Sequence, residues 1–300
     1  MNVIVDMPPR DAALPRRLES VSSPLVVAAV LNSLFSIPVW ADETTSRAPS
    51  GEVEVMQDGP SVFRDKFRIT FGAFWALSET SAYYSELNDV ALGIDFEKTL
   101  GMDDSKIIPF AGFRWRFAEK WALDLSYFEI DRRGKKQLAY DIEWGDEIYS
   151  AGTVVESRLF VSDIRATVHY SFFQREDKEL SVGFGLHSMK LDGEINEASL
   201  GKEREDVLAP LPVLSFQATI ALTKKWAMTA RLDWLSIKYQ DFEGDLRSGA
   251  IDFIYQVSQN FSMGFGLRNL NLDVDYKGSD YIAGVTLDLE GPEAFVSYSF

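Results

Sequence analysis

The sequence predicts an all-β fold, a closed antiparallel up-and-down β-barrel of about ten strands (range about eight to twelve) that crosses a membrane with its strands. Three observations predict it. Apolar and polar residues alternate with period two from about residue 66 to Phe300. The connections divide into short polar turns and longer segments. Beyond the N-terminal segment, no uncharged apolar run reaches the roughly 20 residues that a membrane helix needs.

Composition narrows the function classes. The chain has 300 residues, room for one large domain or two small ones. Its 30 Lys and Arg against 46 Asp and Glu give a net charge of −16. Such a chain repels phosphate, so nucleic acid is not an expected partner. With no Cys, disulfides, Cys-ligated zinc, iron–sulfur clusters and thiol catalysis are excluded. Two His leave little for a His-based metal site, so neither a cofactor nor a metal is expected.

Residues 1–41 read as a cleaved secretory signal. Arg16 and Arg17 precede the apolar stretch 24–40, and Val39-Trp40-Ala41 offers small residues at positions −3 and −1. A membrane anchor is the competing reading, but Asn32, Ser33 and Pro38 interrupt a run already short for a span. An exported chain without Cys fits a bacterial envelope. Residues 42–64 are polar and aperiodic, and read as a flexible periplasmic lead-in. The barrel is expected over 65–300.

Each strand is justified by its alternation. In 67–77, Phe67, Ile69, Phe71, Ala73, Trp75 and Leu77 oppose Arg68, Thr70, Gly72, Phe74 and Ala76, so the segment reads as a strand with one apolar face. The pattern returns in 107–117, 121–127, 164–172, 180–186, 214–222, 226–234, 251–257 and 261–267, and finally from Tyr281. In the last segment Ala283, Val285, Leu287 and Leu289 give way to Ala294, Val296, Tyr298 and Phe300. This change of parity at Gly291-Pro292 suggests a bulge in one long strand, with a tight turn as the alternative. Short turns are expected at 118–120, 174–178, 223–225 and 258–260, three of them followed at once by Trp121, Trp226 or Phe261. Longer loops are expected at 79–105, 132–153, 193–208, 240–247 and 274–280. Aromatics beside the short turns fit an interfacial girdle.

A soluble sandwich also alternates, with its apolar face in a core. Here bulky aromatics line one face of nearly every strand, and Gly, Ser, Thr and charges line the other. That is the pattern of a lipid-facing wall around a polar centre. Ala294, Val296, Tyr298 and Phe300, alternating up to a terminal aromatic, resemble the C-terminal signal of Gram-negative outer-membrane β-barrel proteins. The resemblance implies an outer-membrane location, an assembly machinery that reads those residues, and no enzyme activity in most members. It names no subfamily.

The strand faces place Arg68, Arg114, Arg116, Arg165, Arg231 and Arg268 inside, with Asp124, Asp163, Asp233 and Asp252. Buried charge must pair or meet water. A barrel of about ten strands is close to the size that side chains fill, so a salt-bridged plug or very narrow pore is expected. A charged constriction for small solutes is the alternative. A lipid-modifying enzyme ranks third: His187 and Ser188 are adjacent and face opposite sides, while His169 and Ser171 share a face without an acid in register. The leading expectation is a monomeric, non-enzymatic envelope protein that meets outer-membrane lipids and lipopolysaccharide and acts in structure or in surface contact through long loops. The acidic loops read as solvated faces, and divalent ions shared with lipopolysaccharide phosphates are a weak second reading.

Overall fold

The structure, a computed structural model, describes residues 60–86, 92–144, 147–197, 201–239, 241–278 and 281–300. The signal at 1–41 and most of the lead-in lie outside the described residues. After a single 3-10 turn at Ser61–Phe63 the chain is all strand: β1 (Phe67–Glu86), β2 (Leu92–Asp95), β3 (Ser105–Ala118), β4 (Trp121–Gln137), β5 (Ile142–Trp144), β6 (Glu147–Tyr149), β7 (Val154–Gln174), β8 (Lys178–Glu197), β9 (Gly201–Ala221), β10 (Trp226–Tyr239), β11 (Phe242–Gln256), β12 (Phe261–Lys277) and β13 (Tyr281–Ser299).

Ten of these form one sheet closed on itself. Each long strand pairs antiparallel with its successor, and β13 returns to β1 from Arg68↔Ser299 to Glu86↔Tyr281. Closure removes both sheet edges, the condition for placing strands in hydrocarbon. The short β2 adds to the far end of β1, and β5 and β6 form a separate hairpin. The turns after β3, β7, β9 and β11 are short and lie at one end, here the lower end. Trp121 packs on Tyr170 and Trp226 on Tyr255 there, each with ring centroids 5.0 Å apart, which makes an aromatic girdle.

The barrel is taller than a membrane requires. β7 has 21 residues, whereas a tilted spanning strand needs only about 9–11. The extra length changes what each face carries. On β4 the outward residues Trp121, Leu123, Leu125 and Tyr127 are followed by Glu129, Asp131, Arg133 and Lys135. Inward, Asp124 and Ser126 are followed by Phe128 and Ile130, both buried. The lower half is therefore apolar outside and polar inside. The upper half is the reverse, with a hydrophobic core as in a water-soluble sheet. All ten barrel strands feed that core, among them Phe74, Ile108, Phe128, Val161, Met189, Leu211, Leu235, Leu246, Leu272 and Leu287.

This inversion corrects two expectations. No bulge or turn interrupts β13 at Gly291-Pro292, because its pairing with β1 and with β12 keeps one register from end to end. The apolar residues change side instead: Leu287 and Leu289 are buried in the upper core, while Val296, Tyr298 and Phe300 are exposed on the outer belt. Most of the expected long loops are also strand. β8 and β9 extend to Glu197 and Gly201, and β10 and β11 meet within two residues of Tyr239↔Phe242. Those segments are polar because their outward faces meet water above the belt. Two long connections remain. The one before β3 buries Phe96, Leu100 and Met102, and the β5–β6 hairpin buries Ile142 and Tyr149, all in the upper core.

At the lower mouth, residues 60–63, part of the expected flexible lead-in, are packed. Val62 and Phe63 bury against Ala227 and Ile254. Ser61 donates from its backbone N–H to Gln256 at 3.0 Å.

Candidate functional site

The candidate site is the charged lower lumen. Period two brings one residue in two from each strand to the centre, so charges far apart in sequence meet across the barrel. Arg68, Arg114, Arg116, Asp124, Asp163, Arg165, Arg231, Asp233, Asp252 and Arg268 all sit on inward positions of their strands, each buried or half-buried. The structure joins them into pairs and adds partners that the sequence reading passed over.

Arg165 on β7 grips Asp233 on β10 with Nε at 2.6 Å and Nη2 at 3.0 Å. Arg114 reaches Asp124 at 2.9 Å on the neighbouring strand. Arg116 makes a two-pronged contact with Glu179, at 3.0 and 2.9 Å, and Ser171 donates to the same carboxylate. Arg68 binds Asp65 at 2.5 Å, and Asp65 also accepts from Ser299 at 2.9 Å. Arg268 meets Glu293 at 2.7 Å and lies 4.1 Å over the Phe110 ring, where the polar lumen gives way to the apolar core. Arg231 stands 3.7 Å from Asp233. Asp252 faces a cavity of about 130 Å³ that Arg68, Arg114, Arg165, Arg231, Arg268, Asp124 and Glu293 also line.

Glu179, Glu293 and Asp65 were missed for different reasons. Glu179 alternates with Leu180, and that signal was available. Glu293 lay hidden behind the supposed irregularity at Gly291-Pro292. Asp65 precedes the first strand and carries no periodic signal.

Both histidines are buried in this network. His187 Nδ1 meets Asp163 at 2.9 Å, and its Nε2 lies 3.6 Å from Asp233. His169 Nδ1 meets Asp124 at 2.7 Å, and its Nε2 meets Ser215 Oγ at 2.9 Å. An acid therefore does stand beside His169, supplied by the neighbouring strand β4, which the sequence reading of His169 with Ser171 did not find. The Ser215–His169–Asp124 order has the outline of a nucleophile–base–acid set. Its hydrogen bonds run the other way. Ser215 donates its hydrogen to Asp233 and accepts a further bond from Arg165 at 3.3 Å, so its oxygen is an acceptor toward His169. Ser215 is completely buried. The arrangement binds four strands together and offers no attacking oxygen.

A second cluster stands in the upper half. Arg132 is 1% exposed. It donates to Ser78 at 2.7 Å, to Thr80 and Glu97, and to the Asp103 carbonyl at 3.4 Å. One guanidinium thus ties β4, β1 and the long connection before β3.

A belt of exposed Phe71, Trp75, Phe184, Phe216, Phe265 and Leu267 surrounds the same level at which the lumen holds its ion pairs. A water-soluble protein does not clothe a polar centre in a continuous apolar surface. The chain has the fold of an outer-membrane β-barrel. No family model matches its sequence, and no curated protein does. Among solved structures it is similar to the outer membrane protease OmpT from Escherichia coli, at 8% identity and a TM-score of 0.48, over 78% of this chain and 97% of that one. It is also similar to the toluene transporter TodX of P. putida, at 9% identity and a TM-score of 0.34, over 80% and 91%. A third likeness is to Neisserial surface protein A, at 12% identity and a TM-score of 0.29, over 78% and 97%. Ala294, Val296, Tyr298 and Phe300 lie on outward positions at the end of the closing strand.

Proposed function

We propose that the chain is a plugged, monomeric barrel of the Gram-negative outer membrane that serves envelope structure or surface contact without catalysis. Its apolar belt meets outer-membrane lipids, and its polar upper half stands among lipopolysaccharide headgroups. The surface offered to partners is the outer wall of that raised half together with its two long connections. Assembly through the machinery that reads Val296, Tyr298 and Phe300 belongs to the same reading.

The observation that carries it is the upper core. Phe74, Ile108, Phe128, Val161, Met189, Leu211, Leu246, Leu272 and Leu287 fill the lumen above the ion pairs and are all nearly inaccessible. A tube packed with hydrocarbon does not pass ions. The test is single-channel recording of the purified protein in a planar bilayer. The expected result is insertion without discrete conductance steps. Regular open-channel steps would replace this reading with the solute channel.

A further inference from the structure

The barrel wall is open above the belt between β9 and β10, as it also is between β3 and β4, whose pairing stops at Phe110↔Phe128. β9 pairs with β10 only from Ala221↔Ala227 to Leu214↔Trp234. Above that level β9 continues along β8 to Gly201, and β10 continues along β11 to Tyr239. The sequence supplies the reason. Leu222 donates its N–H to the Trp226 carbonyl at 2.8 Å, whereas Ala221 donates toward β8, to Asp177 at 2.7 Å. Antiparallel ladders alternate, so even-numbered N–H groups of β9 face β10. The next even positions above Leu214 are Pro212 and Pro210. In the same register they would oppose Ser236 and Lys238, and neither proline has an N–H to give. The ladder stops at the last residue that can donate. On the β8 side the same prolines need no N–H, and pairing runs on through Leu186↔Pro212 and Ser188↔Pro210.

The resulting notch has an apolar lining. Its floor is Leu214 and Trp234, both exposed members of the lipid-facing belt. Ile237 lies on the inward face of β10, two residues above buried Leu235, yet it is 38% exposed at the level where β9 no longer pairs with β10. On the other bank Leu208 is 65% exposed. The outward residues of β10 above Trp234 are Ser236 and Lys238, so the floor lies at the rim of the belt.

We propose that this notch holds the acyl tail of a membrane lipid. Its floor is continuous with the surface already in contact with lipid, and only the apolar phase reaches it from below. The tail covers Ile237, Leu208 and the Pro210 and Pro212 rings. Polar groups of the headgroup region satisfy the carbonyls and N–H groups that face the gap, which hydrocarbon alone could not. The inference rests on the membrane placement proposed above.

The chain has no cysteine, so Ile237→Cys and Phe265→Cys each give one labelling site for a small fluorophore. Phe265 is a belt residue and serves as the reference. Both proteins are reconstituted in phosphatidylcholine vesicles brominated along the acyl chains. The expected result is quenching at both sites. Replacing both prolines (Pro210→Thr with Pro212→Thr) restores the missing N–H groups, and quenching at position 237 then falls at least about twofold while position 265 is unchanged. Quenching at 265 without quenching at 237 would overturn the notch and leave the membrane placement standing. Absence of quenching at both would remove the placement, and the notch with it. If the double replacement does not fold, the comparison of 237 with 265 in the parent chain decides.

Discussion

Arg165 and Asp233 join β7 to β10 across the lower lumen, with β8 and β9 between them in the wall, through two parallel hydrogen bonds at 2.6 and 3.0 Å. Both side chains are buried. Removing Arg165 leaves the buried Asp233 only the Ser215 hydroxyl and the more distant Arg231 and His187. Arg165→Met is expected to cost about 3–5 kcal/mol, and the double change with Asp233→Leu to recover much of it. Urea unfolding followed by tryptophan fluorescence measures both. A single variant as stable as the parent would show that water reaches Asp233.

Arg132 has a different task. It holds the long connection before β3 over the upper core through Glu97 and the Asp103 carbonyl, and holds β1 through Ser78 and Thr80. Arg132→Met is expected to free that connection while leaving the barrel intact. Limited proteolysis should cut between residues 92 and 104 at least about tenfold faster, because a loss of roughly 1–3 kcal/mol raises the open population by that order. The strand signal of the barrel in far-UV circular dichroism should persist.

The sequence disclosed the lower half of the molecule and concealed the upper half, for one physical reason. Period two reports that two faces differ, and says nothing of which face looks outward. Below the rim, aromatic rows such as Phe71 and Trp75 face outward, and the alternation of Arg114 and Arg116 with Trp115 places the charges inside. Above it the environment inverts. Leu287 and Leu289 therefore looked like lipid-facing residues out of step with Val296, when they are core residues in perfect step. Polar stretches such as 193–208 looked like loops because strand faces in water are polar too. The partners within the lumen were less legible still. His169, Asp124 and Ser215 come from three strands, and no spacing along the chain encodes a contact between strands.

Gly291 tests the reading of β13 as one uninterrupted strand. A Cβ at this position would lie 1.8 Å from the Trp75 carbonyl oxygen, so the β1 backbone must move or the closure must open. Gly291→Ala is expected to destabilise the barrel by about 1–3 kcal/mol or more. Gly93→Ala is the control, since nothing lies within 4 Å of the added carbon there. Thermal unfolding of the two variants beside the parent compares them. Equal melting temperatures would mean that β1 and β13 do not approach as described.

Phe300 separates stability from assembly. It exchanges two backbone hydrogen bonds with Phe67, each 2.9 Å, and the two rings stack with centroids 5.4 Å apart. Phe300→Ala keeps both backbone bonds and loses only the ring contact. In refolded, detergent-solubilised protein the expected loss is therefore small, about 0.5–1.5 kcal/mol. The likeness of the last residues to an assembly signal implies a second and larger effect in cells, where the side chain would be read before the barrel closes. Folded barrel recovered from envelopes should then fall many-fold, against a nearly normal refolding yield in detergent. Equal losses in the two settings would confine Phe300 to its contact with Phe67 and remove the assembly role.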